Sequence, residues 1–341
     1  MRPRSPKKQT SRTRRKVSRL HALPRVLFVV GPTASGKTDL AITLAKEFDG
    51  EIINADARQI YRGLTIGTGK PKGRRGVWEG KKAYIVQGVP HYLMDFLPPE
   101  EPFSAPEWRT SALKAIRGIT ARRHLPIVVG GTGLYLSSLI DHFQFPEVKA
   151  QPGLRLEYER KPLDDLVRLL LAVDPDSGNI VDLKNKRRVI RALEVVTFSG
   201  KKFSEARRLG EPLVEALQIG IVRSKEELYS RIHVSIEHML EEGLIEEVRT
   251  LIKKGVSVDS PGMTAIGYRD FVRYLRGECS LDEIIENFKQ KTRQYARRQW
   301  TWFKKDDRIR WVTDDAEAGR IVREWLGESR RSTRRSSPRV S

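Results

Sequence analysis

Gly31-Pro32-Thr33-Ala34-Ser35-Gly36-Lys37-Thr38 satisfies the spacing G-x-x-x-x-G-K-[ST] at every position. Glycines in such a loop let backbone N–H groups close around phosphate oxygens, and the following helix adds the positive end of its dipole. Lys37 would bring a point charge to the terminal phosphate, and Thr38 a hydroxyl to Mg²⁺. As an isolated string the pattern also arises in plain Gly-rich turns, so its context decides. Val26 to Val30, a β-branched and aromatic run, reads as a buried strand leading straight into the loop. Helical periodicity follows through Leu40, Ile42, Leu44 and Phe48 until Gly50. The reading is that a di- or triphosphate binds; it does not follow that a phosphoryl group moves.

Outward from the loop, Glu51 to Ala55 and Pro126 to Val129 read as further buried strands. The second is followed by Gly130-Gly131-Thr132-Gly133 and an apolar helix over Leu134 to Ile140. Strands alternating with helices predict a parallel α/β sheet flanked by helices, of the P-loop NTPase-like class. Residues 147–215 are charged and helical in period, which predicts a helical insertion. Leu217 to Val222 then returns as a strand, 225–303 is helical, and Arg310-Trp311-Val312 is a last short strand. The expected organisation is a basic arm (1–25), a core (26–146), the insertion (147–215), the rest of the core (216–328) and a basic tail (329–341).

The net charge of +21 on 341 residues is unevenly placed. Residues 1–25 hold ten Lys or Arg and residues 329–341 hold five Arg, with no acid in either. Without them 49 basic face 43 acidic side chains, a net of +6. Both ends read as disordered arms suited to a polyanion such as RNA; a merely solvated tail is the bland alternative. A transit peptide would suit the first arm but not a second basic tail. One cysteine, Cys279, excludes an internal disulfide and a Cys-rich zinc module, so a reducing cytoplasm is expected. No apolar run is long enough for a membrane helix.

Asp56 falls at the end of the second strand, on the edge where open α/β sheets bind ligands. There it could accept a proton, hold Mg²⁺ through water, or simply cap a turn. The Gly- and Lys-rich stretch Gln59 to Pro71 behind it reads as a long functional loop. His91 and Asp95 lack the further His or Cys that a metal site would need. Trp300, Trp302 and Trp311 are expected in the core.

With these segments in place the chain resembles the tRNA dimethylallyltransferase (isopentenyl transferase) family over roughly residues 25–328. The resemblance rests on motifs in order: the 31–38 loop, Asp56-Ala57-Arg58-Gln59-Ile60-Tyr61, Ile66-Gly67-Thr68-Gly69-Lys70-Pro71, Pro90-His91-Tyr92-Leu93-Met94-Asp95, and Val129 to Tyr135. Arg188-Val189-Ile190-Arg191-Ala192-Leu193-Glu194-Val195, Ile266-Gly267-Tyr268-Arg269, and Thr292 to Gln299 complete the set. It departs from the family at Ala57 (usually Ser), Gly69 (usually Ala), Lys184-Asn185-Lys186 (usually Asn-Asp-Pro) and Ser235, where a second Arg usually reaches the diphosphate. Arg231, Lys225 or Arg223 are the possible substitutes.

The resemblance implies transfer of a dimethylallyl group from its diphosphate to the 6-amino group of the adenine 3′-adjacent to the anticodon in tRNA. Asp56 would be the base and Thr132 would contact the flipped nucleotide. Residues 31–38 with Arg231 would hold the diphosphate, and Mg²⁺ would sit at Thr38. It further implies nucleotide-type binding at the loop, a monomer, and tRNA contacts from Asp56, Ala57, Arg58, Gln59, Thr132, Arg187, Arg188, Arg191, Thr264, Gly267, Tyr268 and Arg269. Lys289, Lys291, Arg293, Arg297 and Arg298 charge a later helix. Each Arg or Lys could equally be a solvated, ion-paired side chain. A P-loop small-molecule kinase, a non-catalytic RNA-binding module, and transfer to a free adenine nucleotide are the competing readings.

The arms give a first prediction. A chain trimmed to residues 24–328 should keep its maximal rate, need more tRNA to reach it, and bind with a shallower salt dependence, because phosphate contacts set that slope. Titrations at several salt concentrations decide; equal affinity and slope would make the arms bystanders.

Overall fold

The computed structural model describes residues 23–327 apart from 144, 147, 149, 150 and 207–209. The two basic arms, save residues 23–25, lie outside the described residues. The chain falls into two compact units, one within Met1–Leu136 and Val214–Ser341, the other within Ser137–Leu213.

The first unit opens with β1 (Arg25–Val30), α1 (Lys37–Glu47), β2 (Gly50–Asn54), β3 (Arg74–Trp78), β4 (Lys81–Val86), β5 (Val89–Tyr92), α2 (Ala105–Ala121) and β6 (Leu125–Gly130). α3 (Gly133–Ile140) leads out of it. The second unit holds α4 (Pro152–Arg160), α5 (Leu163–Val173), α6 (Lys186–Ser199) and α7 (Phe203–Ala206). The chain returns to the first through β7 (Glu215–Ile221), α8 (Lys225–Glu241), α9 (Leu244–Lys253), α10 (Tyr268–Leu275), α11 (Leu281–Phe303), β8 (Ile309–Val312) and α12 (Asp315–Leu326).

The strands form a single sheet in the order β3-β4-β5-β2-β6-β1-β7-β8. From β5 to β8 all pairs are parallel, while β4 runs antiparallel to both neighbours. The five expected strands match β1, β2, β6, β7 and β8 within two residues. β3, β4 and β5 were not anticipated, and the reason is compositional. β3 is almost wholly exposed and β4 begins on exposed Lys81 and Lys82, so neither shows a buried run. Charged side chains of this kind suit an outer strand, where they discourage pairing with another chain.

Leu27, Val29, Ile52, Ile127, Val129, Ile219 and Ile221 alternate onto one face of the sheet and pack with Leu40, Ala41 and Leu44 of α1 and Ala318 and Val322 of α12. A separate apolar cluster joins α8, α9, α10 and α11 to Ile60, Tyr61 and Leu64. α11 starts on a capping box in which Ser280 and Glu283 each accept the other's backbone N–H. Its length carries three residues of one face, Tyr295, Gln299 and Trp302, along the strand ends. The second unit packs Leu166 and Leu170 of α5 on Val189, Ile190 and Leu193 of α6. Asn185, part of the departure at 184–186, still caps α6 by accepting from the Arg188 N–H. No described helix is long and apolar enough to cross a membrane.

At the edge where β2 and β6 begin, Glu51, Glu79 and His124 bring ligand-type atoms within 4.8 Å of one another. Arg122 occupies the same place, 2.6 Å from Glu51 and 2.9 Å from Glu79, so this is an ion-pair network that leaves no room for a cation's charge. Burial alone would lower the His124 pKa, but Glu79, Asp49 and Glu51 raise it overall. A His raised on folding stabilises fully below its unfolded value of about 6.5 and loses that contribution as pH rises through the folded value. Melting curves of the protein and of His124→Gln should therefore differ at pH 6 and below and converge above neutrality; a constant offset across pH would refute the linkage.

Candidate active site

The phosphate loop joins β1 to α1. Gly36 sits at φ 91°, which only a residue without a β-carbon adopts freely, and Ala34 is also left-handed at φ 61°. Two arginines brace these turns: Arg231 on α8 donates to the Ala34 carbonyl at 2.8 Å, and Arg223 donates to the Ser35 carbonyl at 3.3 Å. A β-carbon built on Gly36 would lie 3.5 Å from an Arg231 amino nitrogen and 3.9 Å from one of Arg223. Lys37 donates to the Pro32 carbonyl at 3.2 Å. Burial lowers the Lys37 pKa, and the Asp56 carboxylate opposes that shift.

Asp56 follows β2. Buried Asn54 fixes its backbone on both sides: the Asn54 carbonyl oxygen accepts from the Asp56 N–H, and its amide donates to the carbonyls of Asp56 and Leu93. Oδ1 of Asp56 accepts from the Arg58 N–H at 2.8 Å. The turn-capping role is therefore real, and it uses one oxygen; Oδ2 makes no hydrogen bond among the described residues. Lys37, Thr38, Asp56, Gln59, Asn54, His91 and neighbouring apolar side chains line one cavity at this sheet edge.

Thr132 follows β6. Its Oγ1 accepts from the Ala57 N–H at 3.1 Å and shares a hydrogen bond with Tyr295. Burial and the Asp56 charge push the Tyr295 hydroxyl far up, so it stays protonated. Four residues on, Gln299 accepts from the Thr33 N–H and donates to the Gly131 carbonyl, both at 2.9 Å. The contact needs glycine at 131, since a β-carbon there would stand 2.0 Å from the Gln299 amide nitrogen.

This arrangement has counterparts among known proteins. The family described as IPP transferase matches residues 59–306, and that described as isopentenyl transferase matches residues 24–89. The chain belongs to the IPP transferase family. A relative from Acetivibrio thermocellus named tRNA dimethylallyltransferase is 42% identical over 300 residues, covering 86% of this chain and 93% of its own length. One of the same name from Bacillus pumilus is 42% identical over 293 residues, covering 84% and 88%. The tRNA delta(2)-isopentenylpyrophosphate transferase structure from Staphylococcus epidermidis is 36% identical with a TM-score of 0.62, covering 89% of this chain and 99% of that one. A eukaryotic dimethylallyltransferase acting on tRNA is 27% identical with a TM-score of 0.72, covering 92% and 82%.

Ser235 offers no charge from α8, and Arg231 and Arg223 are the arginines that the fold brings to the loop. Lys225 instead lies over the Tyr229 ring. Gln59 donates to the carbonyls of Thr68 and Gly69, so its amide nitrogen holds the 66–70 turn. That loop is also gathered by Glu247 of α9, which accepts from the N–H groups of Thr65 and Ile66 at 2.8 Å, of Gly67 at 3.2 Å, and from the Tyr268 hydroxyl at 2.6 Å. Tyr268, expected among the tRNA contacts, is 1% exposed with its hydroxyl turned inward to Glu247. Gly267, at φ 90°, packs against Phe288. Thr264 donates to the Pro261 carbonyl, Arg269 to the Val258 carbonyl, and Arg58 to the Pro261 carbonyl, each from the rim of this loop system.

The other cations divide. Lys289 and Lys291 are ion-paired with Glu237 and Asp270, and Arg293 bonds His233. In the second unit Arg187 and Arg188 are exposed on the first turn of α6, whereas Arg191 is bound by buried Glu194 and donates to the Val148 carbonyl. Trp300 and Trp311, expected in the core, pack together at 4.9 Å but are only half-buried. Trp302, expected there too, is 44% exposed, its indole against the backbone of Gly133. Asn54, Glu247, Tyr295 and Gln299 had no separate signal in the sequence, although the last two stand in a recognised motif.

Replacing Gln299 by Ala would strand a backbone N–H and a carbonyl, each costing about 1–3 kcal/mol when left unsatisfied. A clear drop in the urea midpoint is expected, with a rise in KM for the diphosphate substrate. An unchanged midpoint would mean that the loops hold without this amide.

Proposed function

We propose that this chain transfers a dimethylallyl group from dimethylallyl diphosphate to the 6-amino group of the adenine 3′-adjacent to the anticodon in tRNA. The observation that carries the reading is the placement of Asp56, with Oδ2 uncommitted, in one cavity with Lys37 and Thr38 of the phosphate loop. Relatives named tRNA dimethylallyltransferase, alike over most of their length, support the same substrates and disfavour a kinase.

The chemistry has two demands. A bond forms between the adenine amino nitrogen and the first carbon of the donor, while the carbon–oxygen bond breaks and its electron pair leaves with diphosphate. The nitrogen must lose a proton, and Asp56 Oδ2 takes it. The departing diphosphate gathers charge, which amides of the 31–38 loop, Lys37 and the neighbouring Arg231 and Arg223 stabilise; each such donor is worth about 3–4 kcal/mol of barrier. Thr38 lines the same cavity, and its hydroxyl is the group that would help to hold a divalent cation such as Mg²⁺ beside the diphosphate. When bound, that ion would neutralise phosphate charge. Thr132, fixed by Ala57 and Tyr295, is placed to meet the extruded nucleotide. Exposed Arg187 and Arg188 are suited to RNA phosphates.

Mass spectrometry of nucleosides from tRNA incubated with the protein and donor is the direct test. Asp56→Ala should lower turnover by about 10²-fold or more at nearly unchanged tRNA affinity. Asp56→Asn, which keeps an oxygen for the Arg58 N–H, should be as slow. If the Asn variant turns over normally, Asp56 acts through the turn and not as the base.

A further inference from the structure

His91 stands in β5 at 1% exposure, and its ring lines the cavity shared with Asp56, Asn54, Lys37 and Thr38. Its two nitrogens are treated very differently. Nδ1 lies 3.0 Å from the Val89 carbonyl, an acceptor only, so Nδ1 carries the proton and the ring is the tautomer with a lone pair on Nε2. Nε2 is buried and has no partner among the described residues. A buried acceptor left alone is costly, and native proteins nearly always satisfy such atoms, commonly with water.

The cavity is the natural source of that partner. It has room for a water-sized guest among several polar side chains. Ile52, Met94 and Val129 supply the apolar remainder, so a water there finds its hydrogen-bond partners only among the polar atoms. Asp56, whose Oδ2 is the second uncommitted acceptor, lines the same cavity. Oδ1 and both backbone groups of Asp56 are already engaged, by Arg58 and Asn54.

We propose that His91 is a positioning residue for the transfer reaction: its Nε2 and Asp56 Oδ2 accept the two hydrogens of one bound water, which holds the carboxylate in the orientation that receives the amine proton. The proposal rests on the reading of Asp56 as the base. His91 touches neither substrate; it acts through Asp56. Burial keeps the ring neutral, with its pKa lowered to about 4, so the acceptor at Nε2 is present throughout the working range. A charged ring would donate from both nitrogens and could not take this hydrogen bond.

The test compares side chains that reach different distances. An amide at the end of Gln extends to about where Nε2 lies, while that of Asn ends nearer Nδ1. Single-turnover rates and KM values for donor and tRNA would be measured on the full chain for His91→Gln, His91→Asn and His91→Leu, with melting temperatures alongside. The expected result is a kcat loss of about tenfold or more for Leu and Asn, little change in either KM, and substantial recovery in Gln, since a charge-assisted hydrogen bond carries roughly that factor. If Leu does not fold, the Gln and Asn pair decides. Equal rates in Gln and Asn, or a Leu variant with normal kcat, would overturn the proposal, and so would losses that track melting temperature alone. Failure of the underlying reading shows separately, as a normal rate in Asp56→Asn with His91 intact.

Discussion

One side-chain amide, that of Gln299, binds the Thr33 N–H and the Gly131 carbonyl together. These groups belong to the loops after β1 and β6, which are neighbours in the sheet. An amide has both a donor and an acceptor at a fixed separation, so it sets the gap between the two loops as well as satisfying them. One turn back along α11, Tyr295 reaches Thr132, whose hydroxyl takes the Ala57 N–H beyond β2. The sheet order β2-β6-β1 makes these three strand ends contiguous, and one face of α11 ties them all. The phosphate loop, Asp56 and Thr132 thus owe their mutual distances to one face of a single helix. Preorganisation of this kind is what an electrostatic site needs, because donors already fixed cost little reorganisation when charge develops.

The same logic explains how the departure at Ser235 is tolerated. Arg231 and Arg223 do not merely lie near the loop; each donates to a carbonyl of it, at Ala34 and Ser35. A carbonyl turned toward an incoming anion would repel it, and a guanidinium bound to that carbonyl reverses the local field. Arg223 is itself held by Glu227 at 3.1 Å, one turn into α8. With five donors on a planar fork, each arginine retains N–H groups for phosphate after bracing the backbone. Two braced cations on this side leave the loop less dependent on a third.

How much of this was legible in the sequence depended on the kind of signal. β1 and β6 are buried along nearly their whole length, and such strands read as near-continuous apolar runs. β3 and β4 sit at the edge, with Arg74, Arg75 and Val77 exposed, and no run marks them. The 31–38 loop was legible because local spacing encodes its chemistry, whereas Asp56 was singled out by its place at a strand end and by a recognised motif. Glu247 was not, since its partners at Thr65, Ile66 and Gly67 lie about 180 residues away in the chain. The inward direction of Tyr268 was hidden for the reverse reason. The residue stands in a motif associated with RNA contact, yet its hydroxyl is directed inward to Glu247, which no spacing rule reveals. Trp302 was expected in the core with Trp300 and Trp311, but two positions along a helix is a large rotation, and it turns the ring outward over Gly133.

Two lysine–carboxylate pairs near the site show why residue type alone cannot assign a role. Lys70 and Asp95 meet at 2.5 Å, and Lys70 also donates to the Tyr61 carbonyl, so two of its three donors are spent inside the fold. Arg75 adds a second cation at Asp95. That pair is a fastener for the loop after Asp56. Lys37 and Asp56 share a cavity, feel each other's charge, and make no direct bond: Lys37 turns to the Pro32 carbonyl, and Asp56 Oδ1 to the Arg58 N–H. Had they closed on each other, the lysine would have stabilised the ionised carboxylate and made it a weaker base, while the carboxylate would have screened the cation from phosphate. Holding the two apart with backbone partners leaves a carboxylate and an ammonium unpaired with each other in one small space. A reaction that must remove a proton at one atom while charge accumulates at another requires that separation.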